Sequence, residues 1–135
     1  MRKMLVLLFV VVMSCSDSNE TMDNPVEDRV PSLAIVNKHS LARAYSVQIP
    51  IGNYTWQGFD IFEGDSRTFV LDKGLTGSMT SIRVRVLYYC GTSQTTRKGF
   101  KDIDVPFVNG KTTVINMVTQ PNTLGCEFFD LQLGS

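Results

Sequence analysis

The stretch TSIRVRVLYY, from Thr80 to Tyr89, sets Ile82, Val84 and Val86 on one side of the chain and Arg83 and Arg85 on the other. That period of two sorts residues on a strand with one buried face, and a helix would scatter them around its axis. Downstream, Asp102 and Asp104 alternate in the same way with Ile103 and Val105. An antiparallel pairing that sets Arg85 against Asp102 also sets Arg83 against Asp104, Ile82 against Val105 and Val84 against Ile103. Charged and apolar faces then agree together, which fixes the register, because a slip of one residue would turn every side chain over. The same register opposes Val86 and Lys101, a poor pair, and so predicts a bulge near Gly99.

Outward from this pair, which occupies Thr80 to Tyr89 and Lys101 to Val108, short β-branched or alternating runs recur between turn residues. They predict strands at Ser32 to Asn37, Ala44 to Pro50, Arg67 to Leu71, Lys111 to Val118 and Glu127 to Leu133. Asn109-Gly110 suits a tight turn with positive φ, and Gly64-Asp65-Ser66 and Gly74 to Ser78 mark further turns. No window of helical length carries apolar residues at helical spacing. The roughly one hundred residues after Pro31 make a single domain, 32–135. Half-apolar strands in that number bury themselves by stacking two sheets, so the expected fold is an all-β, antiparallel two-sheet β-sandwich of about seven strands, with a small open β-barrel as the alternative. By strand count the pattern resembles immunoglobulin-like modules of Gram-negative envelope proteins. The inward residues expected are Leu33, Ile35, Tyr45, Val47, Ile49, Phe69, Leu71, Ile82, Val84, Val86, Tyr88, Val105, Phe107 and Leu131.

The other end of the chain reads as an address. Arg2 and Lys3 precede an unbroken apolar run, Met4 to Met13, which is the layout of a secretory signal and about half the length a membrane-spanning helix needs. Val12-Met13-Ser14-Cys15 resembles the lipobox of bacterial lipoproteins, with Met13 departing a little from the usual choice at its position. That resemblance implies a signal peptide over 1–14, cleavage before Cys15, and a diacylglycerol on the Cys15 thiol; an ordinary secretory signal is the alternative. Two or three acyl chains hold a protein to a leaflet where one is marginal. Ser16 is not the aspartate that resembles an inner-membrane retention signal, so the resemblance implies an outer-membrane lipoprotein facing the periplasm or the cell surface. The run Ser16-Asp17-Ser18-Asn19-Glu20 is similar to acidic export signals of some surface lipoproteins, and reads equally as the start of a soluble tether. Over 15–31, Asp17, Glu20, Asp23, Glu27 and Asp28 against Arg29 predict a disordered, self-repelling linker.

With Cys15 lipidated, Cys90 and Cys126 remain as an even pair in an exported chain, and a disulfide is expected. A bridge of that span is worth about 4 kcal/mol in the chain-entropy model. A metal site combining both thiolates with His39, the only histidine, lacks closely spaced ligands, so no metal and no cofactor are expected. His39 lies in a polar segment and reads as a surface residue. No nucleophile elbow or other catalytic box occurs, and no catalytic residue is assigned; a hydrolase with a spatially assembled site is the least favoured reading. Asp60, Glu63 and Asp65 lack the spacing of a calcium loop and read as part of a turn.

Tyr54, Trp56 and Phe59 form the best candidate ligand contacts, as a loop presenting aromatic faces to a glycan or an envelope protein; the competing expectation turns Trp56 inward as a core plug. The balance of ten basic against eight acidic residues in the domain excludes the strong field that nucleic acid requires. The expected function is a non-enzymatic binding or adhesive module on a lipid anchor, with a structural accessory of an outer-membrane or surface assembly as the alternative.

Overall fold

The computed structural model describes residues 30–72, 81–91, 97–123 and 125–135. The expectations for the leader, Cys15 and the tether up to residue 29, and for the Gly74 to Ser78 turn, lie outside the described residues. The described residues form eight strands: β1 (Ser32–Asn37), β2 (Ala42–Ile49), β3 (Tyr54–Ile61), β4 (Ser66–Val70), β5 (Ile82–Cys90), β6 (Arg97–Val105), β7 (Thr112–Thr119) and β8 (Phe129–Leu133). They form two four-stranded sheets, ordered β4-β1-β7-β8 and β3-β2-β5-β6, and neither closes into a barrel. The fold is a β-sandwich. The first sheet is mixed, because β1 runs parallel to β7 while every other pair is antiparallel.

The pairing of β5 with β6 has the register read from the sequence: Arg85 lies opposite Asp102, Arg83 opposite Asp104, Ile82 opposite Val105 and Val84 opposite Ile103. Both arginines meet their aspartates through two nitrogens, at 2.8 and 2.9 Å for Arg85 and at 3.1 and 3.3 Å for Arg83. The bulge expected near Gly99 is absent, and the ladder runs unbroken from Ile82 to Cys90. Two side chains explain the difference. Lys101 turns inward, lays its stem along Phe129 with the ammonium 4.6 Å from the ring centroid, and donates to the Phe129 carbonyl, so a lysine is accommodated beside Val86. Gly99 leaves room for the Tyr88 ring, which a Cβ there would meet at 2.6 Å.

The irregularity lies elsewhere. The register of β2 shifts between Ala44 and Ser46 against both neighbours, and Gly58 in β3 adopts a φ of 80°. The shift turns Tyr45 to the outer face, where it stacks on Tyr89 with centroids 4.1 Å apart; strict alternation had placed it inside. The other expected core residues do point inward: Leu33, Ile35, Val47, Ile49, Phe69, Leu71, Ile82, Val84, Val86, Tyr88 and Val105 are buried, and Phe107 and Leu131 pack against them. Phe59, Ile61, Ile115, Met117 and Phe129 complete the core. Fully burying each such side chain stabilises by about 1.5–3 kcal/mol.

Where the chain crosses from β1 to β2, a buried polar corner closes one end of the sandwich. Asn37, fully buried, donates to the carbonyls of Ala42 (2.7 Å) and Ile61 (2.9 Å) and accepts from the His39 amide (2.8 Å), which satisfies end carbonyls of two strands and one loop amide with one side chain. His39 is not on the surface: it is 2 % exposed, its Nδ1 lies 2.8 Å from the Thr119 hydroxyl, and its ring lies against Phe129.

Candidate functional site

β3 and β4 are the edge strands on one long side of the sandwich, one from each sheet, and the seam between them is a groove of about 490 Å³. Trp56, Phe59 and Phe69 line it, with Thr55, Gln57, Thr68 and Val70 at its rims. The three rings form a continuous floor: Trp56 and Phe59 each lie 5.2 Å from Phe69. Tyr54 stacks on Trp56 at 5.5 Å and donates its hydroxyl to the Asp72 carboxylate, a bond that raises the Tyr54 pKa above its ordinary value. The Arg67 guanidinium sits 4.7 Å from the Phe59 ring, and among the described residues it has no carboxylate within ion-pair distance. The lining is mixed, with aromatic rings on the floor and Thr55, Gln57, Arg67 and Thr68 bringing polar groups to the rims.

The structure thus brings Tyr54, Trp56 and Phe59 together, on a strand where the sequence had suggested a loop. Tyr54 and Trp56 alternate with Thr55 and Gln57 as strand residues do, but at Gly58 the alternation slips by one, so Phe59 and Ile61 resume the inward face out of phase. That slip hides the strand from a search for period two. Trp56 is half-buried and Phe59 buried, so the rings form the floor of a groove and do not project from the surface. The recoverable signal was the alternation of Tyr54 and Trp56 with the polar Thr55 and Gln57 before the glycine.

Cys90, at the end of β5, is bridged to Cys126, ahead of β8, with Cα atoms 5.3 Å apart. The bond ties one sheet to the other. Glu127 lies beside the two sulfurs, with donor atoms of all three residues within 4.8 Å, but the bridged sulfurs offer no thiolate to a metal, and His39 bonds Thr119 instead of joining them. Asp60 is not part of the turn it was expected in: it lies on β3 and pairs with Arg43 at 3.4 Å, while Glu63 and Asp65, in the turn that follows, are exposed. The His39–Thr119 pair joins a buried imidazole to an exposed hydroxyl, and neither residue lines the groove.

No helix among the described residues is long and apolar enough to cross a membrane. No protein-family model, no curated protein and no solved structure matches this chain.

Proposed function

We propose that this chain is a non-enzymatic binding module held on the outer membrane by a lipidated Cys15, with the β3–β4 seam as its docking surface. The observation that carries the reading is the groove itself, a 490 Å³ aromatic-floored cleft between two edge strands with the Arg67 cation at its side. An acidic tether of the kind read over 15–31 would hold such a cleft away from anionic headgroups and free to meet a partner.

A second reading, a structural accessory that accepts a strand from a neighbour, draws support from the edges. β6 carries Arg97, Lys98, Lys101, Asp102 and Asp104, and β4 and β8 are five residues long, all features that discourage edge pairing. β3 has eight residues and a single charge, Asp60, leaving the Gly58 irregularity as its main protection. An added strand along β3 would roof the groove and lay alternate side chains into it.

Trp56 is the only tryptophan, so fluorotryptophan labelling yields one fluorine resonance that reports on the groove. The resonance is expected to shift on titration with solubilised envelope protein and to stay in place in the Arg67→Glu variant. An unmoved resonance at saturating extract would contradict the docking surface. Intact mass of membrane-purified protein tests the anchor separately: a chain starting at Cys15 and heavier by diacylglycerol is expected, and a soluble chain cut elsewhere would remove it.

A further inference from the structure

The outer face of the β3-β2-β5-β6 sheet carries a second constellation, on the far side of β3 from the groove. Register sets Lys98 beside Tyr89 and Tyr89 beside Arg43, and Asp60 closes the row through its ion pair with Arg43. Tyr45 stacks on Tyr89, and the Arg43 guanidinium lies 5.0 Å from the Tyr89 ring and 5.6 Å from the Phe62 ring. Two shallow depressions flank this row and share Tyr89. One, of about 250 Å³, is lined by Tyr45, Gly58, Phe59, Asp60 and Tyr89. The other, of about 160 Å³, lies against Arg43, Phe62 and Tyr89.

From this arrangement we infer a binding site for a neutral saccharide, in which a pyranose ring lies against Tyr45 while Asp60 and Arg43 hydrogen-bond adjacent hydroxyls. Three observations carry it. The first is the register shift at Tyr45 opposite Gly58: the sheet gives up regular pairing at this point, and the result is a tyrosine re-aimed outward beside a glycine whose missing side chain leaves open space, with nothing within 4 Å of a Cβ built there. The second is the chemistry of the polar pair. A carboxylate only accepts and a guanidinium only donates, so Asp60 and Arg43, 3.4 Å apart, match two neighbouring hydroxyls, one donating and the next accepting. Around the two depressions Asp60 and Glu63 balance Arg43 and Lys98, which favours a neutral ligand over an anionic one. The third is size. Each depression falls below the roughly 300 Å³ at which sites for drug-sized ligands begin, and two joined at Tyr89 suit consecutive sugar units. Tyrosine supplies a flat apolar face for the C–H side of the ring at little entropic cost, and Arg43, already held between two aromatic rings, has little freedom left to lose.

The test is saturation-transfer NMR on the purified full chain in detergent, with cellohexaose, xylohexaose, mannohexaose and galactohexaose as neutral probes and polygalacturonate as the acidic one, and affinities from calorimetry. At least one neutral hexaose is expected to receive saturation from the tyrosine rings. Asp60→Asn is expected to weaken its binding by at least about tenfold, the loss of one charge-assisted hydrogen bond, with an unchanged melting temperature. Tyr45→Ala is expected to abolish the transfer, and Asp60→Asn keeps the test decisive if the tyrosine variant folds poorly. No transfer to any neutral probe, a preference for polygalacturonate, or binding that survives both substitutions would overturn the inference. The groove reading is not engaged by these outcomes, because Trp56 faces inward and Asp60 outward from β3.

Discussion

The two long sides of this sandwich are built from the same materials and closed in different ways. Along β6 and β8 the sheets are clasped: the Cys90–Cys126 bond joins them covalently, Lys101 reaches from β6 to the Phe129 carbonyl of β8, and Tyr88 meets Phe129 edge-on at 4.7 Å. Along β3 and β4 no covalent link exists among the described residues; aromatic contacts and the Tyr54–Asp72 bond hold the seam, and a groove remains. Concentrating the cross-sheet attachments on one side leaves the other able to open locally, and regions that open at low free energy are where recognition is commonly found.

Breaking the clasp should cost most. Phe129→Ala removes a fully buried ring that Tyr88, His39 and Lys101 all pack upon, and is expected to lower stability by about 3–5 kcal/mol in denaturant unfolding. Replacing Cys90 and Cys126 together by alanine should cost about 2–4 kcal/mol, given the 36-residue separation they bridge, with reduction of the native protein giving a similar loss. On the open side Trp56→Ala is expected to cost less, about 1–2 kcal/mol, because the ring is only half-buried and its neighbours can close over the gap. A Trp56 loss equal to that of Phe129 would erase the distinction between the sides.

The smallest effect belongs to the Arg–Asp ladder on the outer face. Its pairs are exposed, so a double-mutant cycle on Arg85 and Asp102 should return about 0.2–1 kcal/mol. The hydrogen bonds from Arg85 hold the Asp102 carboxyl below its ordinary pKa. A carboxyl whose pKa is depressed by folding stabilises the fold above its unfolded value, and that contribution disappears as pH falls through the depressed value. Asp102→Asn is therefore expected to flatten the acid limb of the stability profile slightly and to leave stability above neutrality independent of pH in this respect.

How much could be read beforehand follows the same division. The β5–β6 register was legible because two constraints, apolar and charged, pointed to one alignment. The disulfide pair was legible once the lipobox reading set Cys15 aside and left two cysteines in an exported chain. Legibility failed where a single residue changed the phase. Gly58 hid β3, and the shift at Tyr45 moved an apparent core tyrosine to the surface, because a bulge on one strand is set by its neighbour across the sheet and not by its own pattern. His39 was misplaced for a related reason: its polar surroundings in sequence become, through Asn37, the interior of a corner, in which the His39 amide and Nδ1 are bonded and, among the described residues, Nε2 is not. The aromatic residues of the groove were found by type, but their position as its floor depends on β4, which lies across from them only in the folded chain.

Hydrogen exchange of the purified full chain, resolved by strand and compared between β3 with β4 and β6 with β8, tests the difference between the two sides most directly. The account predicts that β3 and β4 amides exchange through local openings at least about 2 kcal/mol below those that expose β6 and β8. Equal protection on both sides, or faster exchange at β6 and β8, would contradict it.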